Sequence, residues 1–302
     1  THFRLTDGIE LRAGYCTPAL LNAGEDPITL DNPYVLICDR DITHVQDFMK
    51  ILLSPAKSID INTSRVINDF STPFFSKETK FLVDKLKKLS PKKMGDLMSI
   101  SKDLAELNVH RYHHFILPNE EGEDLFSAIF GFSGEVYKGF DANSLSEHQL
   151  MLAQNQIRIL SGLYGILKPF DRIYPYRLEM GSKFPGTKLH KDLYAFWGEK
   201  LTKYLNYELL ENEPVVNLAS NEYSKAIHFK KIANPVVTPV FKEFKNGDYK
   251  IVMMYAKHAR GMMARYIVRN GINELEQIKH FNEERYAFST SLSSETEWVF
   301  VR

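Results

Sequence analysis

Cysteine is scarce in this 302-residue sequence, which has only Cys16 and Cys38. Both lie within the first 48 positions, so residues 49–302 contain no cysteine. This absence excludes a disulfide, a thiolate metal site and a cysteine nucleophile from the larger part of the chain.

Long hydrophobic runs and the common cofactor motifs are also missing. No apolar run approaches the ~20 residues that cross a bilayer, and no secretory signal pattern opens the sequence, so we expect a cytoplasmic protein without a membrane partner. No GxGxxG, P-loop, HExxH or EF-hand pattern occurs, which leaves dinucleotide, Walker-type ATP, zincin and calcium sites without support. We therefore expect no cofactor.

The balanced charge, with 38 basic and 38 acidic side chains, conceals an uneven distribution. Residues 1–48 carry three basic and eight acidic side chains, so the remainder has an excess of positive charge. The charge and the cysteines change at the same place, near Met49. We therefore predict an N-terminal extension, 1–48, followed by one domain, 49–302.

The domain alternates patterns typical of helices and strands, which predicts an α/β (mixed α+β) fold with a mixed sheet surrounded by helices. Ser146 and Gln149 form a capping-box pattern at the start of a helix. Predicted helices cover 77–90, 93–107, 146–160 and 259–271, and predicted strands cover 214–220, 235–241 and 248–256.

The stretch RILSGLYGILKPF, residues 158–170, contains two glycines in a tight turn after a predicted helix. Glycines expose consecutive N–H groups, which bind phosphate oxygens, so this pattern predicts a helix-hairpin-helix element that binds DNA. The alternative is a helix C-cap and a purely structural turn. The predicted DNA-binding residues are Ser161, Gly162, Leu163, Tyr164 and Gly165, with the downstream cations Lys168, Arg172 and Arg177.

Residues 225–269 form the most basic segment, with ten lysines and arginines against Glu243 and Asp248. Such an excess attracts a polyanion independently of its sequence, so Lys257, Arg260 and Arg265 join the predicted DNA-binding residues. The alternative is a solvated face balanced by acidic residues elsewhere in the fold.

Polar side chains that follow predicted strands are candidates for a ligand cleft, because α/β proteins place sites at the carboxyl ends of strands. Ser54 and Lys57 also form a Ser-x-x-Lys pattern, which suits a nucleophile and its base but equally a capping serine and a phosphate-binding lysine. Alternation places Arg177 and Glu179 on one face, as an ion pair. The cleft candidates are Ser54, Lys57, Glu179, Asn217, Ser220, Glu222 and Lys225.

Glu106, His110 and His113 share a helical face and could hold a divalent metal. Their neighbours Leu107 and Val109 indicate instead a helix end that packs on the core, without supporting polar groups. We therefore predict no metal site.

Seven ordered motifs between Met49 and Arg302 resemble the bacterial YaaA family. They are LLSPAKSID, FSGEVYKGF, RILSGLYGILKPFDRIYPYRLEMG, LYAFWG, NLASNEYSKAI, PVF and YAKHARGMMARYI. The resemblance implies resistance to hydrogen peroxide through limitation of free intracellular iron, and duplex DNA as a partner. It also implies a mixed α/β fold with a helix-hairpin-helix element beside a positive cleft, but no secure reaction.

Residues 8–49 resemble a fragment of the apical domain of GroEL-type chaperonins, with a departure at Arg12-Ala13-Gly14. Such a fragment is too short to be an apical domain, so we interpret it as a fused extension. The alternative is a native N-terminal hairpin of the main domain.

Together these observations predict a duplex DNA-binding protein of the peroxide stress response. No reaction is supported by the sequence. The alternative is an enzyme that acts on a small phosphorylated or nucleotide-like ligand in the same basic cleft.

Overall fold

A computed structural model of the chain describes residues 2–4, 10–12, 49–60, 70–118, 125–184 and 190–302. The chain divides into two units, Thr1–Gln46 and Asp47–Arg302. In the first unit, β1 (His2–Arg4) pairs with β2 (Glu10–Arg12) in antiparallel orientation. Most of the predicted extension lies outside the described residues, so its resemblance to a chaperonin fragment stays a prediction.

The second unit contains twelve strands among its described residues. They are β3 (Lys50–Leu53), β4 (Ser58–Ile59), β5 (Phe126–Ser127), β6 (Phe132–Ser133), β7 (Ile157–Ser161), β8 (Gly165–Leu167), β9 (Arg172–Ile173), β10 (Val215–Asn217), β11 (Val236–Lys245), β12 (Asp248–Lys250), β13 (Ala287–Phe288) and β14 (Glu297–Val301).

Eleven α-helices are interspersed with these strands in the described part of the unit. They are α1 (Ser76–Leu86), α2 (Pro91–Met98), α3 (Lys102–His113), α4 (Ala128–Gly131), α5 (Glu135–Phe140), α6 (Glu147–Gln156), α7 (Leu193–Trp197), α8 (Lys200–Glu208), α9 (Asn221–Ser224), α10 (Met253–Arg269) and α11 (Leu275–Ile278). Short 3₁₀ turns cover Ala142–Ser144, Phe229–Lys231, Glu283–Arg285 and Thr290–Leu292.

The main sheet has the order β13-β14-β11-β10-β3-β7-β8, with β12 paired to β11. The pairs from β14 to β7 are parallel, whereas β13–β14, β7–β8 and β11–β12 are antiparallel. This arrangement confirms the predicted mixed sheet and α/β class. The three central strands β10, β3 and β7 are buried along their whole length, as expected for parallel strands covered on both faces.

The chain leaves the two central strands in opposite directions. After β3 the next strand of the sheet is β7, on one side, whereas after β10 the next strand is β11, on the other side. The carboxyl ends of β3 and β10 therefore lie at a topological switch point. In open α/β sheets, a crevice opens at this position.

The helix that was predicted for 146–160 is partly correct. The capping box of Ser146 and Gln149 is confirmed, since each side chain bonds the other residue's backbone N–H. The helix ends at Gln156, however, and β7 begins at once. Arg158 lies in β7, and its buried guanidinium forms an ion pair with Glu208 of α8, at 2.6 Å. This long-range contact is not visible in the local sequence pattern.

The predicted strands at 214–220 and 235–241 are confirmed as β10 and β11. The predicted strand at 248–256 is wrong beyond Lys250, since α10 begins at Met253 and runs through the helix predicted for 259–271. Gly271 follows α10 with a φ of +59°, as a C-terminal cap requires. The predicted helix at 93–107 consists of two helices, α2 and α3.

The longest helix, α10, crosses α5 at very short range. A Cβ atom on Gly261 would lie 1.8 Å from the Val136 carbonyl oxygen, and one on Gly139 would lie 2.2 Å from the His258 carbonyl oxygen. The two glycines therefore allow the backbones to approach more closely than side chains would permit. None of the described helices is long and apolar enough to cross a membrane.

Candidate functional site

The predicted DNA-binding turn, Ser161–Gly165, is a buried β-turn between β7 and β8 and not a helical hairpin. Ser161, Leu163 and Tyr164 have no exposed surface. The N–H groups of Leu163 and Tyr164 donate to the Ser161 hydroxyl at 3.2 and 3.0 Å, so they are already used inside the protein. The helix-hairpin-helix prediction is wrong for this segment.

At both glycines of the turn, neighbouring groups pack too closely to leave room for a side chain. A Cβ on Gly162 would lie 2.4 Å from the Leu178 carbonyl oxygen, and one on Gly165 would lie 2.8 Å from the Trp197 ring. Gly165 also has a φ of +75°, which side chains disfavour. The structural-turn alternative therefore describes this motif.

Four of the predicted DNA-binding cations have partners inside the protein. Lys168 lies 3.4 Å from Glu208, Arg177 pairs with Glu179 at 2.9 Å, and Arg265 lies 3.3 Å from Asp141. The Arg172 guanidinium lies 5.1 Å from the centre of the Phe70 ring. These contacts stabilise the fold and leave Lys257 and Arg260 as the predicted cations without a described partner.

Lys257 and Arg260 lie on the first half of α10. Lys257 is exposed, whereas Arg260 is partly buried, and this burial lowers the pKa of its guanidinium. Neither side chain forms an ion pair with a described carboxylate. A desolvated guanidinium without a partner gains more from binding an anion than a solvated one.

A basic arm, residues 242–257, comprises the end of β11, all of β12 and the start of α10. Asn246 and Gly247 connect the two strands, with φ values of +56° and +79° that suit a tight hairpin turn. Within the described part of the chain, no carboxylate pairs with the four lysines of the arm. They are Lys242, Lys245, Lys250 and Lys257.

Of the two acidic residues of the arm, Glu243 is bonded to residues outside the arm, whereas Asp248 is bonded within it. Glu243 accepts hydrogen bonds from Tyr286 and Arg302, the latter at 2.8 Å, and Asp248 accepts the N–H of Tyr249 at 2.8 Å. The Arg302 guanidinium also lies 5.1 Å from the Tyr255 ring, which connects the hairpin to α10. With four lysines against these two carboxylates, the arm has a net positive charge.

The arm also exposes large apolar side chains, a feature that sequence reasoning missed. Phe244 and Tyr249 face each other across the hairpin with ring centres 5.2 Å apart. Ile251, Met253 and Met254 follow and are each more than half exposed. The run KIVMM belongs to the strand predicted for 248–256, whereas in the structure α10 begins at Met253 and Ile251, Met253 and Met254 lie at the surface.

A second group of predicted residues meets at the switch point. Ser54 follows β3 and Ser220 follows β10, and the Ser54 hydroxyl donates to the Ser220 hydroxyl at 3.2 Å. The Ser220 N–H donates to the Ser54 hydroxyl at 2.8 Å, so the two strand ends are connected twice. Two of the predicted cleft residues are therefore adjacent in the fold, and their role in binding a ligand stays a prediction.

Charged residues line a small opening beside these serines. Lys57 donates to one carboxylate oxygen of Glu179 at 2.9 Å, and Arg177 donates to the other at 2.9 Å. The predicted Arg177–Glu179 ion pair is thus confirmed. The opening has a volume of about 10 Å³, room for about one water molecule, and is lined by residues 55–57, residues 176–179 and Tyr223.

The other cleft candidates have different surroundings. Glu222 accepts the N–H of Gly181 at 3.1 Å, which fixes the segment after Glu179. Asn217 is buried and bonds Ala219 and Thr238, so it shapes the end of β10. Lys225 is exposed at the end of α9 and does not line the opening.

The Ser-x-x-Lys pattern does not form a nucleophile–base pair here, because Ser54 bonds Ser220 and Lys57 bonds Glu179. Of the metal candidates, His110 stacks on His114 with ring centres 4.2 Å apart. Within the described ranges, no group of three or more His, Cys, Asp or Glu side chains is placed to hold a metal ion.

Comparison with known proteins gives the family. The family model described as Peroxide stress protein YaaA matches residues 49–292. A UPF0246 protein of Flavobacterium psychrophilum is 47% identical over 254 residues, which are 84% of this chain and 100% of the relative. UPF0246 proteins of Dechloromonas aromatica and Hahella chejuensis are 48% and 45% identical, each over 84% of this chain and 99% of the relative. The chain belongs to the YaaA family of peroxide stress proteins.

Proposed function

We propose that this protein binds duplex DNA through the basic arm, as part of the cell's response to hydrogen peroxide. The observation that carries the proposal is the set of four lysines on the arm that pair with no described carboxylate. The family supports the peroxide setting. The same proposal includes a cytoplasmic location, limitation of free iron and protection of DNA.

The shape of the arm suits a DNA groove. A two-stranded β-ribbon fits the major groove of B-DNA, which is about 12 Å wide. Residues 243–250 form such a ribbon, with Lys245 and Lys250 exposed on it. Lysines on the ribbon would contact the phosphates on either side and release counterions, which gives affinity without base recognition.

The start of α10 extends this surface. Lys257 adds a further exposed charge, and the partly buried Arg260 offers a guanidinium that no described carboxylate neutralises. The exposed Phe244 and Tyr249 rings supply apolar contacts to sugars and thymine methyl groups. Binding is therefore expected to depend steeply on salt and weakly on sequence.

The test is a fluorescence anisotropy titration of a labelled 20-base-pair duplex at several salt concentrations, roughly 50 to 200 mM. Lys245→Ala combined with Lys250→Ala should weaken binding and reduce the magnitude of the slope of log K against log salt by about 2. The matched control is Lys92→Ala combined with Lys93→Ala on α2, which removes the same charge from an exposed helix. Equal loss of affinity in the two double variants would refute binding by the arm.

A further inference from the structure

We propose that the basic arm pairs with the same arm of a second copy of this chain, through the open edge of β12. The two copies would be related by a two-fold axis at Tyr249 and would form one four-stranded antiparallel ribbon. The pairing itself does not depend on DNA binding.

The first argument is that β12 has an open edge. Among the described strands, β12 pairs only with β11, and its three residues are all exposed. The N–H of Phe244 donates to the Arg302 carbonyl, away from β12, so Phe244 and Tyr249 are a non-hydrogen-bonded pair of the hairpin. The N–H and C=O of Tyr249 therefore point to the open edge. Such an edge is a template for pairing with another strand.

The second argument is charge complementarity between two copies of this edge. With Tyr249 opposite Tyr249 of the second copy, antiparallel pairing places Asp248 opposite the second copy's Lys250, and the reverse. Within one hairpin, Lys245 is opposite Asp248 and Glu243 is opposite Lys250. Each row of side chains across the four strands therefore alternates in sign. Opposite charges on directly opposed residues stabilise a strand pair, whereas like charges destabilise it.

The third argument is the aromatic row on the other face of the ribbon. The rings of Phe244 and Tyr249 lie 5.2 Å apart in one hairpin and are 61% and 38% exposed. The two-fold axis places two Tyr249 side chains opposite each other, so four rings would form a continuous row. Cross-strand aromatic pairs stabilise a sheet, and the pairing buries apolar surface that the single chain exposes.

The contact is small, so we expect a weak and reversible dimer, below the ~1,200 Å² of stable interfaces. A consequence for DNA rests on the proposed function. Three strand spacings place the outer strands about 14 Å apart. This paired ribbon is too wide for a major groove of about 12 Å, so duplex and the second copy would compete for the arm. A saturating duplex should then lower the dimer fraction, and an unchanged fraction would contradict this competition.

Self-association can be measured by sedimentation velocity of the full chain without DNA, at concentrations of roughly 5 to 500 µM. A reductant keeps Cys16 and Cys38 from forming a disulfide between copies. We expect a dimer fraction that rises with concentration. Asp248→Lys and Lys250→Asp should each weaken self-association at least about tenfold, because each variant places like charges at both opposed positions.

Mixing the two single variants is the decisive step. Each offers the charge that the other lacks, so an equal mixture should form a heterodimer although neither variant pairs with itself. Asp248→Lys combined with Lys250→Asp should also recover self-association in part, which excludes misfolding as the cause of the loss. The matched control is Asp96→Lys, which reverses an exposed charge on α2 and should leave the dimer fraction unchanged.

A second pair of variants tests the aromatic row. Tyr249→Ala should weaken self-association about tenfold. Tyr207→Ala on α8 is its control, because that side chain is 64% exposed and lies outside the arm, and it should have no effect.

Three results would overturn the inference. They are a wild-type chain that stays monomeric over the whole concentration range, an equal loss of dimer in Asp96→Lys, and the absence of a heterodimer in the mixture. Because these measurements contain no nucleic acid, their outcome is independent of whether the arm binds DNA.

Discussion

Replacing Gly165 with alanine should destabilise the protein by about 2 to 5 kcal/mol, from two separate causes. The residue has a φ of +75°, which costs an alanine about 1 to 2 kcal/mol. The new methyl group would also lie 2.8 Å from the Trp197 ring and 2.9 Å from the Phe75 ring, both buried. Overpacking of this kind typically costs about 1 to 3 kcal/mol.

Two matched substitutions separate these causes. Gly247 has a φ of +79° but no atom within 4 Å of a built Cβ, so Gly247→Ala should show only the conformational cost, about 1 to 2 kcal/mol. Gly162 shows the opposite case, with no positive φ but a contact of 2.4 Å to the Leu178 carbonyl oxygen. Gly162→Ala should therefore show only the steric cost, about 1 to 3 kcal/mol or more.

The assay is equilibrium unfolding in urea of residues 1–302, in which the midpoint should fall while the slope of free energy against urea stays constant. Gly165→Ala should lose more stability than Gly247→Ala, with the difference set by the ring contacts. Equal losses of stability in these two variants would refute the conclusion that the turn is buried. The turn would then again be a candidate surface for DNA.

Further predictions concern the α5–α10 contact and one buried carboxylate. Gly261→Ala should cost about 3 kcal/mol or more in urea unfolding because its methyl group meets the Val136 carbonyl, whereas Gly95→Ala, with 3.5 Å of clearance in α2, should stabilise by up to about 1 kcal/mol. Equal effects of these two substitutions would contradict the close crossing. Burial raises the pKa of Asp171 to about 6, against the hydrogen bonds from Ser71 and the Lys168 N–H. The folded state therefore holds a proton that the unfolded state releases, so stability should fall by about 2 kcal/mol as the pH rises from 4 to 6, and Asp171→Asn should remove that fall. Urea unfolding at each pH checks this, and a constant difference between wild type and variant across the range would count against it.

The parts of the fold that depend on local signals could be predicted from the sequence. The capping box at Ser146 and the β-branched strand at Val215 are confirmed because their causes lie within a few residues. The meeting of Ser54 with Ser220 was also predictable, since polar residues after parallel strands share one edge of the sheet.

The turn at Gly162 could not be predicted in the same way. Its glycines are required by Leu178 and Trp197, which contact the turn only in the folded chain. Ile157 to Ser161 form a strand whose buried Arg158 is neutralised by Glu208, 50 residues away. A Gly-x-x-Gly pattern fits both a phosphate-binding turn and a buried one, and only long-range packing distinguishes them.

The proposed binding of DNA by the basic arm can be tested directly by lysine acetylation and mass spectrometry, with and without a saturating duplex. We predict that duplex protects Lys245, Lys250 and Lys257, while Lys92 and Lys93 of α2 react equally in both samples. Protection of the α2 lysines with undiminished reactivity of the arm would contradict it.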